Sequence, residues 1–190
     1  MIRPVEQPDL DVERVSHGES LSIKKIYKLG IDKQQILLRS ESDFRNIVLD
    51  MAKQARQSIR IYSPLLCHEL FYKGELSQIA SMLARRNKYT WIEILIFDPH
   101  RVIKHGHALL TISRRLPSSI NIRIVDPEMR KLNHEFVLID HEGVIYRQDY
   151  DKFEGRACFK DIAEYNRLGR EFSAAWDSGL LDPNLRQLCI

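Results

Sequence analysis

The chain has 190 residues, 44% hydrophobic and 29% charged, with a net charge of +3 and a pI near 8.7. This is the composition of one ordinary globular domain, and it excludes a disordered chain, a fibrous chain and a dedicated, strongly cationic nucleic-acid binder. Three widely spaced cysteines, Cys67, Cys158 and Cys189, with no CxxC, exclude a disulfide frame and fit reduced thiols in a cytoplasmic protein.

The opening "MIRPVEQPDLDVERVSHGES" has no apolar core of the signal-peptide kind. Its polar residues, with Pro4 and Pro8, predict a loosely held arm, and the arm is expected to extend over 1–34 ahead of a single domain at 35–190. "QILLRS" predicts a short strand at a sheet edge. "SDFRNIVLDMAKQARQS" places Phe44, Ile47, Val48, Met51, Ala52 and Ala55 on one helical face, with Ser42 or Ser40 as cap. "SIRIYSP" alternates as a strand does and stops at Pro64.

The rhythm then repeats. "GELSQIASMLARRN" predicts a helix with Leu76, Ile79, Ala80, Leu83 and Ala84 inward, and "TWIEILIFDP" a strand ending at Pro99. "GHALLTISRRLP" is a shorter helix and "INIRIVDP" a strand ending at Pro127. "HEFVLID" and "VIYR" form a hairpin around a tight turn. "DIAEYNRLGREFSAAWDSG" is a last helix with Tyr165, Leu168, Phe172, Ala175 and Trp176 inward, ended by Gly179, and the leucines of "LLDPNLRQLCI" pack back on it. Strands alternating with helices predict an α/β fold: a mixed, largely parallel sheet sandwiched by helices. No apolar run reaches bilayer length, and the best, "WIEILIF", carries Glu93, so no membrane span is expected.

This order of elements, with "NHEFVLID" on the hairpin, resembles one half of the phospholipase D superfamily over roughly residues 40 to 178. The family motif is H-x-K-x4-D, followed by a turn, a strand and G-S-x-N. It falls on Asn133, Glu135 and Asp140, with "FVLI" between the last two, and the G-S-x-N positions hold Arg147, Gln148, Asp149 and Tyr150. The resemblance implies a His that attacks phosphorus and a Lys that binds the phosphate. Here an amide replaces the nucleophile. A carboxylate replaces the Lys, and at about 4 Å it repels a phosphate by roughly 1 to 4 kcal/mol in wet surroundings. Moving the register by one, so that His134 is the nucleophile, puts Phe136 at the Lys position and shortens the spacing to Asp140. No second copy of the motif occurs. In a purely structural reading Phe136, Leu138 and His134 fill one core, Val137 and Ile139 face the other, and Asp140 starts the turn.

The C-terminal half, "VIYR…YDKFEGRACF…YNRLGREFSAAW…LRQL", is similar to a small group of uncharacterised bacterial phospholipase D-like domains. That resemblance implies loss of the catalytic pair throughout the group, and polar residues at the old site, Asn133, Glu135, Arg147 and Tyr150, exposed as a repurposed pocket. His134, His105 and His107 are further candidates for that pocket.

Other signals are weaker. "DPHRVIKHGH" supplies Asp98, His100, His105 and His107 after a strand, where open α/β sheets bind ligands, but no further ligand follows from spacing and no metal is assigned. Cys67 beside His68 reads as a small core residue, since sequence neighbours diverge. No G-x-G-x-x-G, G-K-[ST] or G-x-S-x-G occurs, so no cofactor is expected. Several of Arg85, Arg86, Lys88, Arg101, Lys104, Arg114, Arg115, Arg123, Arg130 and Lys131 are expected in or near loops, sharing one rim able to hold a phosphate-bearing ligand by charge.

Three functional readings follow. The first is a non-catalytic phospholipase D-like domain acting as a binding or assembly module, with a homodimer or a protein as partner. The second is a phosphodiesterase or nuclease with unorthodox residues, His134 or His105 as base. The third is a weak binder of nucleic acid or phospholipid headgroups through the arginine rim.

Overall fold

The structure, a computed structural model, describes residues 26–66, 71, 74–104, 106–130 and 133–186. Seven strands form one sheet: β1 (Ile36–Leu38), β2 (Ser58–Tyr62), β3 (Trp91–Ile96), β4 (Ile120–Ile124), β5 (Glu135–Ile139), β6 (Gly143–Arg147) and β7 (Gly155–Cys158), in the spatial order β1-β7-β6-β5-β2-β3-β4. Helices α1 (Glu41–Gln54), α2 (Glu75–Ala84), α3 (Pro99–Lys104), α4 (Ala108–Arg115), α5 (Ile162–Asp177) and α6 (Pro183–Arg186) complete the α/β fold.

Local chemistry accounts for the helix starts. Ser40 caps α1: its hydroxyl accepts from Asp43 N at 3.1 Å, and the Asp43 carboxylate accepts from Ser40 N at 3.1 Å, a capping box. The same carboxylate accepts from Arg39 N, and these backbone donors hold its pKa below the usual carboxylate range. Asp161 caps α5 by accepting from Glu164 N.

The sheet is mixed, as expected. Parallel pairing joins β2, β3 and β4, where helices supply the crossovers. The remaining pairings are antiparallel, a larger share than the strand–helix rhythm implies. The cause is β7, which periodicity does not reveal: "GRAC" is too short and too small-sided to alternate, yet it seats β1 at the sheet edge. A Cβ at Gly155 would strike Phe44 and the Tyr146 carbonyl, so glycine is what lets α1 close on β7.

Each sheet face has its own core. Helices α1, α2 and α4 cover one face, where Phe44, Met51, Leu76 and Leu109 meet Ile59, Ile94, Val137 and Ile145. Helix α5 covers the other, where Tyr165, Leu168 and Phe172 meet Tyr62, Phe136, Leu138 and Val144. The alternation along β5 therefore falls as read, with Val137 and Ile139 to one side and Phe136 and Leu138 to the other.

The expected arm is described only from residue 26, and this part is docked. Tyr27 stacks on Phe159 with centroids 5.4 Å apart, and Gly30 N donates to Phe159 O at 2.9 Å. Packing thus begins ahead of residue 35; Pro4 and Pro8 lie outside the described residues. "DPHRVIKHGH" contains α3 and ends on His107, the cap of α4. Among the described residues no helix is long and apolar enough to cross a membrane.

Candidate functional site

The β5–β6 hairpin carries the motif positions, and its turn sets what faces what. Asp140 and His141 both take left-handed backbone angles, φ +50° and +63°, and Glu142 N donates to Ile139 O at 3.1 Å. With the loop at 140–142, Ile139 lies opposite Gly143 and Glu135 lies opposite Arg147.

That register decides the site. The resemblance implies Glu135 and Arg147 at an exposed pocket; instead they are 4% and 1% exposed. Arg147 Nε donates to Glu135 Oε2, with Nη2 against the same oxygen, and Ser63 Oγ donates to Oε1. Arg147 Nη1 donates to Lys152 O at 3.2 Å, and the guanidinium lies 5.4 Å from the Phe44 ring and 5.6 Å from that of Phe153. Burial pushes the Glu135 carboxyl up, while Arg147 and Ser63 oppose the shift. The carboxylate does not project at a ligand. It is spent inside the domain, with both oxygens occupied.

Asn133, two residues ahead of the first residue of β5, is exposed, and its carbonyl accepts from Tyr150 N at 2.8 Å. It borders a cleft of about 670 Å³ with Tyr146, Gln148, Asp149, Lys152 and Arg156. Tyr150 is half-buried beside it. Asp140 sits at the far end of the hairpin. Its carboxylate accepts three backbone N–H groups, from Arg56 at 2.5 Å, Gln57 at 2.8 Å and Ser58 at 2.8 Å. It ties the turn to the start of β2 and is far from Asn133.

The histidines separate. His134 points to the α5 side of the sheet, 2% exposed, ringed by Tyr62 at 5.3 Å, Phe136 at 5.4 Å and Tyr146 at 5.8 Å. Its Nε2 stands 2.6 Å from Glu171 Oε1, a close approach that is not aligned as a hydrogen bond. Beside it, burial and the Glu171 charge push the Tyr62 phenol up to about 12. His107 is buried elsewhere and caps α4, its Nδ1 accepting from Leu109 N at 3.2 Å. His105, like Cys67, His68, Lys131 and Cys189, lies outside the described residues. Among the described residues no three His, Cys, Asp or Glu side chains converge as a metal site.

The described cations divide between the two ends of the sheet. Arg101 and Lys104 follow β3 at one end of the sheet, while Arg85, Arg86, Lys88 and Arg115 precede β3 and β4 at the other. Arg123 lies over Trp176 at 4.4 Å and Arg130 over Phe97 at 5.2 Å, and Arg114 donates to the Leu185 carbonyl at 3.2 Å. These three are held by internal partners.

The chain belongs to the family described as a domain of unknown function, DUF7931, which matches residues 40–188. No curated protein matches it. Among solved structures it is similar to Nuc from Salmonella typhimurium, a phospholipase D family member, at 14% identity and TM-score 0.55, covering 78% of this chain and 97% of that one. It is similar to NucT from Helicobacter pylori at 12% identity and TM-score 0.57, covering 77% and 98%. It is also similar to TrmBL2, an archaeal chromatin protein described with a novel mode of DNA binding, at 13% identity and TM-score 0.59. That match covers 80% of this chain and spans only 55% of the archaeal one. The fold is therefore phospholipase D-like.

Sequence reading misses Ser63 and the Glu135–Arg147 pair. The signal is a turn centred one residue earlier than "HEG". Asp140 and His141 carry that signal, since Asp and His take left-handed angles more readily than most residues.

Proposed function

We propose that this chain is a non-catalytic phospholipase D-like domain of the bacterial cytoplasm that acts as a binding or assembly module. The observation that supports this most is the buried Glu135–Arg147–Ser63 cluster. It fills the strand position where the family would present a phosphate-binding Lys, and it places a carboxylate there that is already neutralised. Asn133 adds an amide at the nucleophile position, and amides do not attack phosphorus at neutral pH. His134, the imidazole just ahead of the strand, is 2% exposed and held against Glu171 among Tyr62, Phe136 and Tyr146. Asp140 serves backbone geometry. What stays available is surface: the cleft beside Asn133 and the exposed basic loops. Partners of this module are a phosphate-bearing ligand, a protein or a second copy of the chain.

The test is hydrolysis of bis-p-nitrophenyl phosphate and of single-stranded DNA by purified protein, with and without Zn²⁺ or Mn²⁺, beside the Asn133→Ala, Glu135→Ala double variant. The expected result is no turnover by either protein above buffer. Turnover by the parent that the double variant loses would make the chain an enzyme with altered residues and end the non-catalytic reading.

A further inference from the structure

Charge is segregated along this chain. Residues 75–125 hold eight Lys/Arg against three Asp/Glu, whereas the rest of the chain holds 21 against 23. In the fold this stretch forms α2, β3, α3, α4 and β4, one flank of the sheet.

Five of the chain's cations come together at one end. Helices α1, α2 and α4 each finish where β2, β3 and β4 begin, so the three connecting loops lie side by side. The contacts are direct: Arg86 Nη1 donates to Ala55 O at 3.2 Å, Trp91 N to Gln57 O at 3.1 Å and Ile92 N to Ser119 O at 2.7 Å. These loops and helix ends expose Arg56, Arg85, Arg86, Lys88 and Arg115. Among the described residues none of the five is within ion-pair distance of a carboxylate. Asp140 does reach the first loop, but three backbone N–H groups occupy its carboxylate.

The bland account is that cations simply complement helix C-termini. Each terminus carries roughly half a negative charge, about 1.5 charges for three helices. Five cations exceed that about threefold, and even with Asp140 subtracted a surplus of about 2.5 positive charges remains.

The α2–β3 loop is also built rather than slack. Asn87 Oδ1 accepts from Tyr89 N at 2.8 Å, and Thr90, buried, donates its hydroxyl to Asn87 O at 2.8 Å. This bracing turns five consecutive side chains outward, Arg85 to Tyr89. Tyr89 is 69% exposed, with Lys88 Nζ 5.0 Å from its ring centre. An exposed ring among cations suits an unpaired base above and phosphates to either side. Arginine forks suit phosphate oxygens.

The geometry points to this end of the sheet as a binding surface for single-stranded nucleic acid, gripped through its phosphates by Arg56, Arg85, Arg86, Lys88 and Arg115, with a base stacked on Tyr89. The inference rests on the chain being a binding module and not on the loss of catalysis, since Glu135 meets Ser63 just past the opposite end of β2, roughly 15 Å away.

The experiment is fluorescence anisotropy of a labelled single-stranded oligonucleotide against salt concentration. The parent should bind with a log–log salt slope near −3.5, about 0.7 for each of five neutralised phosphates. Arg85→Glu, Arg86→Glu, Lys88→Glu should weaken binding at least tenfold and flatten the slope by about 2. Tyr89→Ala should weaken it about tenfold at unchanged slope. Arg101→Glu, Lys104→Glu, at the other end, should leave affinity within about twofold, and circular dichroism of each variant confirms folding. A slope near zero, a triple variant that binds like the parent, or an Arg101/Lys104 variant equally weakened would overturn the assignment. So would binding to phosphatidylserine vesicles without binding to the oligonucleotide. A gel of the recovered oligonucleotide separates the two readings: cut strands would end the non-catalytic reading while leaving the binding surface in place.

Discussion

Glu135 and Arg147 are cross-strand partners on the β5–β6 hairpin, and each neutralises the other beneath the sheet surface. Two charges this deep gain little over an apolar pair, because removing both ions from water costs several kcal/mol each. Breaking the pair is another matter, because the survivor is left charged and buried.

Arg147→Met alone should therefore cost about 3 to 5 kcal/mol. Glu135→Leu, Arg147→Met together should cost clearly less than that single change. Urea unfolding of both variants and of Glu135→Leu completes the cycle. A double variant as unstable as the sum of the singles would show that the two side chains do not act as a pair.

Asp140 is the second test, through two separable features. Asp140→Ala removes the acceptor for three N–H groups and puts alanine at φ +50°, and should cost about 2 to 3 kcal/mol. Asp140→Asn keeps an acceptor and a residue at home in the left-handed region, and should cost less than half of that. Thermal melts rank them; equal losses would mean the carboxylate charge alone matters.

Acid should expose the caps. The carboxyl of Asp43 is held below its usual value by the Arg39 and Ser40 donors, and that of Glu164 by Arg167 and Arg156. A depressed carboxyl stabilises the fold above its unfolded value, 3.8 for Asp43 and 4.5 for Glu164, and this contribution is lost as pH falls through the lower folded value. The gap in melting temperature between parent and an Asp43→Ala, Glu164→Ala variant should be widest at pH 6 to 7 and shrink below about pH 4. A gap independent of pH would assign the loss to packing.

Much of the fold is legible in the order of residues alone. Leu76, Ala80 and Leu83 repeat at helical spacing, because burial on one stripe leaves a local period, and Phe136 to Ile139 form the continuous apolar run of a strand buried on both faces. The capping box of Ser40 and Asp43 spans three residues and reads the same way, though Ser42 is an equal candidate in the sequence and only the backbone chooses between them. β7 leaves no such period, since glycine and alanine bury too little to mark a face.

The candidate site divides along the same line. By itself, the sequence determined which polar side chains the hairpin carries, Asn133, His134, Glu135 and Asp140, because that is a matter of residue identity along one strand. Only the tertiary structure decided that Glu135 is buried on Arg147 and Ser63, that His134 faces the other core, and that Arg56, Arg85, Arg86, Lys88 and Arg115 gather at one end while Arg101 and Lys104 stand at the other. These pairings join residues far apart in the chain. They depend on hairpin register and on which end of a strand each loop leaves, and both are set by the whole sheet closing on its two cores.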